Sequence, residues 1–206
     1  MLRLAVLTSV VIAAAFGGVA AAGSGAEPQK PTKEFRKAFE KVFTPPKLGR
    51  DFGAFAVLVA NDVPTVSRYG HMRSPGDMQG FQTIKVDVVD GQLSYDTQSF
   101  AKHSVGTLLK RGEVVGIVHV GYGKGTVELS FETRRKLLVT RSEVGNPVQQ
   151  QTEGELCTTV LRFRLPADLP QPATAAEVPA ALEYVGAFLK AFPDEASAVA
   201  YSGSLE

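Results

Sequence analysis

Tryptophan is missing from this 206-residue chain, and cysteine occurs once, at Cys157. A single thiol forms no internal disulfide, so the fold must be held by its core and not by bridges. Cys157 also lies far from the N-terminus, which excludes lipid attachment at a new terminal cysteine. Beside the strand-like run Thr158 to Leu165 it fits a small buried apolar residue better than a reactive thiol. The lack of tryptophan, with five tyrosines, weakens a carbohydrate-stacking surface. Neither sign of charge dominates: 22 basic and 21 acidic residues leave a net charge of +1. Such a balance gives no footprint for nucleic acid and no polybasic patch for a membrane, and neither partner is expected. No pattern of residues calls for a cofactor, and none is expected.

What the chain does have begins at its N-terminus. Arg3 precedes an apolar stretch from Leu4 to Phe16 and a small-residue tail, Gly17 to Ala22. This is the layout of a secretory signal, with cleavage expected after Ala22. Export to the periplasm or the outside follows, and no stable membrane anchor is expected after cleavage. Gly23 to Pro31 is small and polar and reads as a flexible linker. The 44% hydrophobic content suits one globular core.

Residues 32–46 place Phe35, Ala38, Phe39, Val42 and Phe43 at helical spacing, with Thr32 as cap and Pro45-Pro46 as stop. From 47 to 166 the period becomes that of strands. Ala54 to Ala60 is an apolar run. Thr83 to Val89 and Gln92 to Thr97 flank Asp90-Gly91, a pair suited to a two-residue hairpin turn. Glu113 to Val120 and Thr126 to Thr133 flank a glycine-rich turn from Gly121 to Gly125. Lys136 to Thr140 is a further short strand, Gly145 to Glu155 reads as an exposed loop, and Thr158 to Leu165 alternates again. Residues 167–206 read as a helical segment packing on the β domain. Its helix starts near Val178 behind a Thr174/Glu177 capping box, with Leu182, Val185, Phe188, Leu189 and Phe192 as its apolar stripe. Asp194 to Tyr201 reads as one more short helix. The expected fold is mainly β (α+β), a small antiparallel barrel or sandwich with amphipathic helices at both ends.

Chemistry-bearing side chains concentrate in the turn-rich stretch Asn61 to Phe81. Arg68, Tyr69, His71, Arg73 and Asp77 make it the candidate ligand-binding loop. His71, Met72 and Met78 form a soft donor set that would suit copper. A hydrolase would draw on Ser67, Ser74, Ser99 or Ser104 with His71 or His103 and one of Asp62, Asp77 or Asp96. No Gly-x-Ser-x-Gly elbow supports it, and no catalytic residue is assigned. Lys124 lies between Gly123 and Gly125 with no Ser or Thr after it and no helix behind it, so the turn is no phosphate loop. His119 is exposed if Val118 and Val120 face the core, and buried if they do not. Arg134 to Lys136 reads as a solvated strand end.

The stretch Leu109 to Thr133 resembles the hairpin of bacterial SH3-like barrels, in which a Gly-acidic pair opens a strand and a charged turn returns it. The resemblance implies a fold class and no ligand residues. With ionisable groups dispersed, the expected function is an exported, non-catalytic module binding a protein, peptide or other envelope component. The loop and the open side of the sheet would be its surface.

Overall fold

The computed structural model describes residues 27–68, 83–97, 106–143 and 146–205, with the backbone alone for 139–143 and 146–153. The first element is α1, Lys33–Phe39. The Thr32 hydroxyl accepts a hydrogen bond from the Phe35 N–H, satisfying a donor that the first helical turn leaves without a carbonyl. Regular helix stops at Phe39, and turns carry the chain on to Phe43. Phe35, Phe39 and Phe43 are all buried and stack at centroid distances of 5.9 and 5.3 Å. Tyr122 meets Phe39 edge-on at 6.4 Å. The aromatic stripe is therefore part of the core.

Among the described residues eleven strands follow: β1 (Phe55–Leu58), β2 (Val63–Ser67), β3 (Ile84–Val89), β4 (Gln92–Ser94), β5 (Gly106–Leu109), β6 (Val114–Gly123), β7 (Thr126–Thr133), β8 (Leu137–Glu143), β9 (Asn146–Glu155), β10 (Cys157–Arg164) and β11 (Leu189–Phe192). The helices α2 (Val178–Gly186) and α3 (Glu195–Ser202) lie on either side of β11 in sequence. Nine strands form one curled sheet, a half-barrel in the order β11-β1-β6-β7-β10-β2-β5, with β3 against β10 and β4 against β3. The architecture is mostly β with few helices.

The sheet is mixed where an all-antiparallel one was expected. β2 pairs antiparallel with the first two residues of β10, and β3 pairs parallel with the next five, Thr159 to Phe163. Alternation fixes which side chains share a face but not strand direction, so the sequence carried no signal for this.

Further differences share one cause. Val63–Ser67, expected within a loop, is β2 and is buried at all five positions. Gly106–Leu109 pairs with it as β5. Pro64 contributes no N–H, and the Thr159 hydroxyl donates to the Pro64 carbonyl at 2.8 Å while the Thr65 hydroxyl donates to the Thr158 carbonyl at 3.2 Å. Gly145 to Glu155, expected as a loop, is mostly β9, paired with β8 from Gln150 to Glu155 and again at Asn146 in a separate two-stranded arm. A ladder needs only backbone groups, which polar residues supply as well as apolar ones. Leu189–Phe192, expected on a helix, is a strand because α2 ends at Gly186 and β1 offers an edge that β11 fills. Phe188 and Leu189 are buried nonetheless.

Both hairpin turns are tight. Asp90 and Gly91 have φ of 49° and 74°, the left-handed pair that the Asp-Gly dipeptide suits. In the second hairpin β6 runs on to Gly123, leaving Lys124-Gly125 as the connection where a five-residue turn was expected. Val115, Ile117, Val120, Val127, Leu129, Phe131, Leu161 and Phe163 form the buried face of the central strands. Val57, on the other face of β1, is also buried, and α3 packs there with Ala198 inward.

Candidate functional site

The outward face of β6, β7 and β10 is where the alternation is disturbed. Along β6, Ile117 pairs with Phe131 and His119 pairs with Ser130, so Val118 is one residue too many. This β-bulge keeps Ile117 and Val120 buried while Val118 is half-buried and His119 exposed. The two orientations weighed for His119 are thus resolved by a backbone irregularity.

Cross-strand pairing arranges the outward side chains in rows. Arg162 pairs in register with Glu128 and with Asp87. The Arg162 guanidinium binds both oxygens of Asp87, and this hydrogen bonding holds the Asp87 carboxyl below its ordinary range. The next row is uncharged apart from a histidine: His119, Ser130 and Val160. The third is Gly116, Glu132 and Thr158. Gly116 leaves room for the Phe52 ring, since a Cβ there would sit 2.2 Å from it. The Arg134 guanidinium covers that ring at 4.4 Å and is itself held by Glu195 at 2.9 and 3.2 Å.

Between the fixed Phe52 ring and Arg68 lies a cleft of about 360 Å³. Val118, Ser130, Val160, Thr158, His119, Thr83 and Asp51 also line it. Arg68 donates from Nη1 to Glu132 at 2.8 Å, and Glu132 is only 4% exposed. The cleft thus offers apolar carbons beside an ion pair, hydroxyl-bearing residues and an exposed imidazole. It suits an amphipathic partner group.

Of the five loop residues expected to bind ligand, Arg68 lines this cleft. Tyr69, His71, Arg73 and Asp77 lie outside the described residues, as do the metal candidates His71, Met72 and Met78. Thr83 lines the cleft as well. Among the described residues no group of three or more His, Cys, Asp or Glu is placed to hold a metal ion. Ser74, Ser99, Ser104, Asp77 and His103 are likewise outside. Of the described hydrolase candidates, Ser67 donates to Glu155 and Asp62 pairs with Lys110. Alternation in β7 made Ser130 and Glu132 legible as outward residues, but Phe52 and Val160 join the cleft only through tertiary packing.

Cys157 is buried, and its backbone N–H donates to the Thr133 hydroxyl at 3.0 Å. Burial first, and then the charges of Glu113 and Glu132, push its thiol up to about 12. A thiol reagent at about pH 8 should therefore leave the folded chain unlabelled and modify it fully in denaturant. Rapid labelling of the folded chain would contradict this account.

Compared with protein-family models, with curated proteins and with solved structures, the chain finds no match.

Proposed function

We propose that the chain is an exported, non-catalytic binding module that grips one or two side chains of a protein or peptide partner in the Phe52–Arg68 cleft. Export rests on the Met1 to Ala22 pattern, with cleavage after Ala22 and delivery to the periplasm or beyond. Among the described residues no helix is long and apolar enough to cross a membrane.

The observation that carries the binding reading is the bulged outer face. Half-buried Val118 and the largely buried Val160 sit on the outward side of β6 and β10 beside His119, Ser130 and Thr158, and Arg134 clamps Phe52, which lines the cleft with them. Apolar atoms flanked by fixed polar groups are the pattern of an interaction hot spot. At about 360 Å³ the cleft is at the small end for a ligand pocket, which fits anchor side chains better than a large molecule.

A photoreactive amino acid in place of exposed His119 tests this in cells. We expect one dominant crosslinked partner, lost on adding Val118→Glu, while the variant retains the wild-type melting curve. Crosslinks that survive Val118→Glu, or an identical set from a probe at Lys190, would refute the cleft as the binding surface.

A further inference from the structure

Phe52 also lines a second concavity, of about 380 Å³. Its cations are Lys41, Lys47 and Arg50, and its apolar lining includes Val42, Phe52 and Phe192. No carboxylate lines it. None of the three cations has an ion-pair partner among the described residues, whereas six ion pairs occur elsewhere.

The acids next to these cations in sequence, Glu40 and Asp51, do not line this pocket. Glu40 interacts with the Tyr122 hydroxyl and Asp51 lines the neighbouring cleft. A chain of near-zero net charge has therefore sorted its charges locally, leaving a pocket of one sign. The apolar part is exposed as well: Val42 is 40% exposed, and Leu48 at the adjoining turn is wholly exposed. That turn is closed by the Arg50 N–H donating to the Lys47 carbonyl at 2.9 Å, with Gly49 at φ 81°. It presents Lys47, Leu48 and Arg50 together.

We infer that this pocket binds an anionic amphiphile, its phosphate or carboxylate head on Lys41, Lys47 and Arg50 and the start of its chain against Val42, Phe52 and Phe192. A bare anion would leave the apolar lining wet, and a neutral apolar ligand would leave three cations uncompensated. Only a ligand with both features uses the whole site. The same chemistry is available from a free acyl phosphate or fatty acid and from the lipids of an anionic membrane, where Leu48 would enter the interface.

Calorimetry on the full chain separates these sources. The soluble arm titrates dodecyl phosphate below its micelle threshold, with dodecyl maltoside and inorganic phosphate as controls. The membrane arm uses phosphatidylcholine vesicles with and without phosphatidylglycerol. Wild type and variants carry the same N-terminal segment, so its contribution cancels.

Dodecyl phosphate should bind more tightly than either control, and K47E/R50E should weaken it by about tenfold or more. Added salt should weaken it too. Binding confined to phosphatidylglycerol vesicles, and lost in K47E/R50E and Leu48→Ser, would support the site with a membrane source. Equal binding of dodecyl phosphate and dodecyl maltoside, or vesicle and monomer binding indifferent to charge reversal, would overturn the proposal. The milder K47Q/R50Q variant and a melting curve for each protein keep loss of binding distinct from loss of fold.

Discussion

Replacing Phe39 with alanine is expected to destabilise the protein by about 3–5 kcal/mol, the range for truncating a buried phenylalanine. Phe39 is fully buried, stacked on Phe35 and Phe43, and met edge-on by Tyr122. Its removal takes away a ring's worth of buried apolar surface and opens a cavity that three flanking rings cannot close without leaving their packed positions. For a domain of this size the midpoint should fall by roughly 2–4 °C for each kcal/mol lost.

Val42 on the same segment is the internal control. Being 40% exposed, it should change stability on replacement by alanine by about 0.5 kcal/mol or less. Thermal and urea unfolding of the two variants test the assignment of this aromatic stripe to the core. Equal, small effects would mean that the segment can detach without loss, and its reading as a core element would fail.

The second large effect is expected from Gly53→Ala. An added Cβ would lie 1.9 Å from the Thr44 carbonyl oxygen, 2.5 Å from the Pro45 carbonyl carbon and 2.7 Å from the Pro46 nitrogen. All three are backbone atoms, and consecutive prolines give that backbone little freedom to yield. Gly53 is also fixed from its own side. Its N–H donates to the Ile117 carbonyl at 2.9 Å, and the N–H of Ala54 donates to the Thr44 carbonyl at 2.8 Å.

The loss should therefore exceed about 3 kcal/mol, beyond what a single ordinary substitution costs. Gly49→Ala separates space from strain. Gly49 has φ 81° with nothing within 4 Å of an added Cβ, so alanine there should cost only the left-handed penalty, about 1–2 kcal/mol. If Gly53→Ala unfolded within about 0.5 kcal/mol of wild type in urea, the 44–46 segment could not lie against Gly53 as described.

Much of the β layout was legible because burial on one face leaves a period of two. Val127, Leu129 and Phe131 are buried and alternate with Glu128 and Ser130, and Ile84, Val86 and Val88 do the same. Asp90-Gly91 specified its turn through the positive φ that both positions adopt. Thr32, and Thr174 with Glu177, marked helix starts through the side-chain oxygens that cap them. What escaped was structure supported by the backbone alone or by distant partners. β9 carries a polar sequence with no alternating apolar face, β2 hides a proline in a buried strand, and β11 continues an apolar stripe of helical spacing.

The candidate site divides the same way. Arg68 stood out by its surroundings in sequence, and its place beside Glu132 belongs to the fold. The sequence marked where export, turns and buried stripes should lie, because local backbone preference and one-sided burial act over a few residues. The tertiary structure decided that β3 runs parallel to β10, that a bulge turns Val118 and His119 both outward, and that Phe52 covers Gly116. Those features depend on atoms tens of residues apart meeting at van der Waals distance, and no local pattern encodes such a meeting.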